Sequence, residues 1–231
     1  MGRLEGEMPP TEDTFLRKVW MDCWPNLTGL LGANLIFLLW CAPSTLAALL
    51  QLQGVALALI PVTVGPALFG LFTYVANLVL DRPASFWRDS LRGFRSGFGA
   101  GVILSGVTML ALTAHRLALA NAVNAGMHLG VVALWAGQLG LLTVLAITGV
   151  HVVSLIGLYR QGAREAFRNA VLLALAHPVP TLGMVGAGLL ALLLARALRW
   201  GPLVIVPALL AVLAVNTTLM LVRHHHPAGR N

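Results

Sequence analysis

The sequence predicts an all-α, polytopic membrane protein of about six transmembrane helices, with amphipathic basic interfacial helices on the cytoplasmic side. Three observations predict it. Hydrophobic residues fill 58% of the 231 positions and charged residues only 10%, whereas about a quarter of a soluble domain is charged. Uncharged stretches of about 20 residues, enough to cross roughly 30 Å of hydrocarbon, recur along the chain. The basic residues fall between those stretches rather than in one patch. The net charge of +7 therefore reads as orientation by the positive-inside rule and excludes a nucleic-acid surface. A β-barrel would show short alternating segments instead.

Residues 1–26 hold Glu5, Glu7, Glu12, Asp13 and Asp22, where a secretory signal would be basic. They are expected to form a cytoplasmic leader with an interfacial helix through Phe15 to Trp24. A single transmembrane domain then covers 27–222, and a basic cytoplasmic tail covers 223–231. The first span runs from Leu27 to about Leu50, bent or ended early at Pro43. Residues 51–62 are uncharged and read equally as a loop, a re-entrant piece or the start of the second span. That span runs to about Leu80, with Pro66 suited to a helical first turn. The third covers about Gly97 to Thr113, the fourth Met127 to Tyr159, and the sixth Pro202 to Val222. The fifth, Phe167 to Ala195, is interrupted at His177-Pro178-Val179-Pro180.

With the N-terminus inside, this arrangement places Arg3, Arg17, Lys18, Arg82, Arg88, Arg92, Arg95, Arg160, Arg164, Arg168, Arg223 and Arg230 in the cytoplasm. Arg116, Arg196 and Arg199 stay outside. One span more or fewer would scramble that asymmetry. In the first cytoplasmic connection, Trp87, Leu91, Phe94 and Phe98 line one stripe at helical spacing. Arg88, Arg92 and Arg95 lie a quarter-turn away. Such a helix, N-capped at Ser85, sets aromatics at acyl depth and guanidiniums among anionic headgroups. Arg160, Arg164 and Arg168 form the matching ridge of the second connection. Aligning Phe94-Arg95-Ser96 with Phe167-Arg168-Asn169 suggests a parallel internal repeat offset by 73 residues.

Chemistry-bearing residues are few. No Asp or Glu falls inside a predicted span, which argues against a proton-coupled pump. No HExxH, GxSxG or P-loop motif occurs, so neither enzymatic activity nor a cofactor is expected. Cys23 and Cys41 are spaced for neither a disulfide nor a metal site, and His224-His225-His226 reads as a solvated tail. His151, His177 and Gln138 could line a cavity, although hydrogen bonds to neighbouring helices explain them better, as they do Asn34 and Asn216. Gly93, Gly97, Gly101 and Ser105 recur every four residues, a small-residue ridge suited to close helix packing within the chain. The breaks at Pro61-Val62-Thr63-Val64-Gly65-Pro66 and at Pro178/Pro180 occupy corresponding places in two halves. Transporters build binding sites from unwound backbone at such places.

Several of these segments resemble one family, the YesL-like bacterial membrane proteins. Asn34-Leu35-Ile36-Phe37-Leu38-Leu39-Trp40 with Pro43 is similar to its opening helix. Pro61-Val62-Thr63-Val64-Gly65-Pro66-Ala67 is similar to its proline–threonine–glycine turn, Phe86 to Phe98 to its basic-aromatic linker, and Asn169 to Pro178 to a later helix. About seventeen residues separate Pro43 from Pro61 here, where the family often passes almost directly from one to the other. The resemblance implies a bacterial inner-membrane protein of no established reaction, associated with carbohydrate uptake. The expected function is accordingly an accessory or scaffold component beside membrane-transporter subunits. The alternative is a small transporter or channel with its pathway at the proline breaks. A homo-oligomer is left open.

Overall fold

The composition leaves helix as the one structure able to satisfy the backbone across lipid, and the fold follows from that. A computed structural model describes residues 12–125, 129–198 and 204–225. Among the described residues there are nine helices and no strand: α1 Glu12–Cys23, α2 Leu27–Leu49, α3 Gln53–Val79, α4 Phe86–Ser96, α5 Phe98–Ala125, α6 Leu129–Tyr159, α7 Ala163–Ala176, α8 Pro178–Ala197 and α9 Val206–His225. Helices α2, α3, α5, α6 and α9 are each long and apolar enough to cross a membrane. The pair α7–α8, bent by 104°, makes a sixth crossing if counted as one broken span.

Helix α3 is the hub. It packs against α2, α4, α5, α6 and α9, and its half from Gly65 to Val79 is buried almost without interruption. Around it Leu30 and Ala33 of α2, Val152, Val153, Leu155 and Leu158 of α6, and Ala208, Ala211, Val212 and Val215 of α9 complete the core. Lipid tails are as apolar as leucine, so burial alone does not drive these helices together. Close van der Waals packing and interhelical hydrogen bonds do, and α3 supplies small residues for the first of these.

Several expectations about the elements change. Residues 51–62 are the beginning of α3, entered through a tight turn at Leu50–Leu52 in which Gln51 adopts φ 59°. Pro61 and Pro66 lie inside this one helix, so there is no break at the first proline site and Pro66 is not at a first turn. Membrane helices tolerate such prolines because neighbours re-satisfy the freed backbone; here the Ser105 hydroxyl of α5 donates to the Pro61 carbonyl at 3.0 Å. Pro43 likewise sits within a continuous α2. Helix α5 extends twelve residues past Thr113, to Ala125, because the alanine- and leucine-rich stretch after Arg116 favours helix. Met127 and Pro202, named as span limits, lie outside the described residues, as do Arg3, Arg199, His226 and Arg230. Ser85 holds the N-cap position of α4 without a capping side-chain bond; the Asp89 carboxylate instead accepts the Ser85 N–H at 2.8 Å.

The two connections share an architecture. Helix α3 ends in a Schellman-type cap, with Arg82 N–H donating to the Asn77 carbonyl at 2.9 Å and Asp81 left-handed at φ 51°. Helix α6 ends with Arg160 left-handed at φ 54°. Each cap leads into a basic amphipathic helix, α4 or α7, that packs back on its parent span. Each of those helices ends at a break, Gly97 or His177. Asp81 thus corresponds to Arg160 and Gly97 to His177, an offset of 79 to 80 residues rather than the 73 suggested by matching Phe94-Arg95 to Phe167-Arg168.

Candidate functional site

Two separate constellations hold most of the residues singled out from the sequence. The first is a seam between α3 and the α4–α5 pair. A Cβ added at Gly93 would meet the Thr73 hydroxyl and the Phe69 carbonyl, and one at Gly97 would meet the Phe69 ring. At Gly101 it would lie 2.6 Å from Pro66 N and 2.7 Å from the Gly65 carbonyl carbon. Gly65 faces Gly101 and Ser105 in return. The ridge of Gly93, Gly97, Gly101 and Ser105 therefore runs along the Pro61–Thr73 face of α3, within one chain. Thr63 turns the other way: its hydroxyl lies 3.1 Å from Ser44 Oγ on α2 and 2.9 Å from the Leu59 carbonyl. Pro61, Thr63, Gly65 and Pro66 are thus held in helix-to-helix contact.

The second constellation surrounds the α7–α8 bend. The break follows from local chemistry, because a residue before proline is pushed out of the α region. His177 accordingly sits at φ −132°, ψ 67°, and Pro178 opens α8. The fully buried His151 of α6 places Nε2 3.2 Å from Thr181 Oγ1 on α8 and Nδ1 3.0 Å from Thr218 Oγ1 on α9. The Thr181 hydroxyl donates to the His177 carbonyl at 2.7 Å. Its single proton is then in use, so toward His151 it can only accept. His151 is therefore the Nε2–H tautomer, and Thr218 donates to Nδ1. This chain ties α6, α8 and α9 together at the bend. Beside it lies an apolar crevice of about 260 Å³, lined by Val144, Thr148, Ala174, Pro178, Thr181 and Leu182 among others.

The structure thus brings His151, His177 and Pro178 together and leaves Pro61 to Pro66 in the other seam. Gln138 belongs to neither. It is half-buried on α6, thirteen residues before His151, or about 20 Å along the axis, and its Oε1 has no partner among the described residues. Asn34 donates to the Val204 carbonyl at 2.7 Å. Asn216 donates to Asp22 Oδ2 at 3.1 Å and so fastens α1 to α9.

The membrane-surface residues divide by face. Arg88, Arg92, Arg95, Arg160, Arg164 and Arg168 are exposed, as are Trp87 and Phe98. Phe94 is instead enclosed between Trp40, at 4.3 Å between centroids, and Phe98, at 5.8 Å. The expected lipid-facing stripe is thus partly an internal contact. In α1, Trp20 and Trp24 stack at 5.2 Å with both rings exposed. Among the described residues no group of His, Cys, Asp and Glu could hold a metal ion, and Cys23 and Cys41 are free thiols. Sequence reasoning missed Thr181, Thr218 and the Asp22–Asn216 link. The one available hint was the uncommon Asn216-Thr217-Thr218 run in an apolar span. The chain matches no family model, no curated protein and no solved structure.

Proposed function

We propose that the chain is a non-enzymatic component of the bacterial inner membrane, with both termini in the cytoplasm. In this reading it acts as an accessory or scaffold beside a carbohydrate-uptake transporter, as its resemblance to the YesL-like proteins implies. The observation that carries the reading is that the core's polar side chains are engaged with one another. His151 has both ring nitrogens bonded to threonines, and the surrounding core is built of Leu, Val, Ala and Phe. Such an interior suits a rigid body that presents surfaces to partners better than a hydrated pathway. The orientation is supported by Arg82 and Arg160, which end two spans and line one recess, as expected of a cytoplasmic face. Purification from native membranes in mild detergent tests the reading. Stoichiometric recovery of a permease or solute-binding subunit is the expected result; repeated isolation of the chain alone, with solute flux in liposomes, would overturn it.

The 104° break of α7–α8 favours a second reading, a small transporter or channel. Broken helices whose half-helix N-termini face a site are the usual transporter device, and the crevice at this bend lies beside His151. In that case Thr181→Val and His151→Ala abolish liposome flux at normal expression, whereas the accessory reading predicts no flux to lose.

A further inference from the structure

The ends of α3 and α6 meet at a shallow recess of about 440 Å³ lined by Arg82, Leu158, Tyr159 and Arg160. Arg223, at the end of α9, lies close enough to act electrostatically on Tyr159. Three helix ends thus bring three guanidiniums around one tyrosine. The one salt bridge among the described residues is Lys18–Asp22, so within them none of these arginines is paired with a carboxylate. All three are exposed.

The backbone holds two of them in defined places. Arg82 is the residue after the left-handed Asp81, its N–H fixed on the Asn77 carbonyl at 2.9 Å. Arg160 is itself left-handed at φ 54°, with its N–H on the Ile156 carbonyl at 2.9 Å. Glycine is the usual residue at such a cap and a bulky side chain there is disfavoured. An arginine held in that conformation at a recess is an outlier that points to function. Gln51, the third left-handed non-glycine among the described residues, has no comparable surroundings.

We propose that Arg82 and Arg160, with the Tyr159 hydroxyl and the nearby Arg223, bind one phosphate-bearing anion per chain, either the headgroup of an anionic phospholipid or a soluble phosphate. Guanidinium forks match phosphate oxygens bidentately, and the phenol adds a neutral donor. The site differs from the exposed arginines of α4 and α7, which are strung along helix faces and suit diffuse attraction to a charged surface.

The test uses the purified full-length chain. Retention of phosphatidylglycerol against phosphatidylcholine is read by native mass spectrometry, and binding of inorganic phosphate by calorimetry. One retained phosphatidylglycerol without phosphate binding assigns a lipid site; phosphate binding that displaces the lipid assigns a soluble anion. Either supports the proposal. In Arg82→Gln/Arg160→Gly, affinity falls at least about ten-fold as charge-assisted bonds are lost, while glycine suits the left-handed backbone and preserves the cap. Arg88→Gln/Arg92→Gln changes affinity by less than about three-fold, as expected for surface charges. The wild-type stoichiometry is read independently of any variant's folding. Failure to saturate at one anion per chain, undiminished binding in the first double variant, or equal loss in the second would each overturn the proposal.

Discussion

Gly101→Ala is the most direct probe of the seam on α3. The added methyl would sit 2.6 Å from Pro66 N, 2.7 Å from the Gly65 carbonyl carbon and 2.9 Å from Pro66 Cα. All three are backbone atoms of a neighbouring helix and cannot rotate away. Ordinary van der Waals contact begins at 3.4 Å, so α5 must retreat from α3 by about 0.8 Å. That retreat loosens the contacts on either side and stretches the Ser105–Pro61 hydrogen bond. Overpacking of this kind costs about 1–3 kcal/mol. For a chain of 231 residues, each kcal/mol shifts the midpoint by about 2–4 °C, so the transition should fall on the order of 5 °C. The matched control is Gly99→Ala, two residues earlier on the same helix, where an added Cβ meets nothing within 4 Å. There the change should be neutral or stabilising by up to about 1 kcal/mol, through reduced freedom of the unfolded chain. Thermal unfolding in one detergent, followed by loss of the monodisperse size-exclusion peak, gives both values. Equal stability of Gly101→Ala and wild type, or equal loss in both variants, would refute the account of the seam.

Three further outcomes are expected. Thr181→Val removes the partner of both His151 Nε2–H and the His177 carbonyl, whereas Thr218→Val removes only the donor to Nδ1. The first should therefore cost about 2 kcal/mol and the second about 1 kcal/mol, and a reversed order in thermal unfolding would contradict the assigned tautomer. Burial, and secondarily the Asp22 carboxylate, pushes the Cys23 thiol above its ordinary value of 9.0. Less thiolate is then present at neutral pH, so alkylation in a Cys41→Ala background should be slow at pH 7, rise only above pH 9, and quicken in Asp22→Asn; a half-maximal rate below pH 9 would contradict this. Asp22→Ala also removes both the Lys18 ion pair and the Asn216 bond, so trypsin should cut after Arg17 and Lys18 faster than in wild type, while unchanged cleavage would show that α1 is held by other contacts.

What the sequence made legible was whatever local periodicity or polarity encodes. The amphipathic α4, the basic connections and the interruption at His177-Pro178 could all be read because each is written into a few consecutive residues. The small-residue ridge was also visible as a four-residue spacing, although not the face it meets. The Pro61–Pro66 segment was misread as a break for a physical reason. Proline's missing N–H predicts an interruption only where nothing compensates, and compensation here comes from Ser105, 44 residues away. The partners of His151 were invisible for the same reason, since Thr181 and Thr218 lie 30 and 67 residues distant. The repeat was glimpsed through Phe-Arg matches, but its true register lies in the left-handed caps, which carry aspartate in one copy and arginine in the other.

The seam also governs how the molecule responds to its bilayer. Because Gly93 and Gly97 clasp α3 from one side of the break and Gly101 clasps it from the other, the interfacial helix α4 cannot ride up or down independently of the spans. It acts as a depth stop, setting one end of α3 at a fixed height relative to the headgroups. Helices α5 and α6, with 28 and 31 residues, run about 42 and 46 Å at 1.5 Å per residue, well beyond a hydrocarbon core of about 30 Å. A thicker membrane must then be accommodated at the far ends of these two helices, by burying more of their length or changing their tilt, while the arginine-bearing end keeps its level.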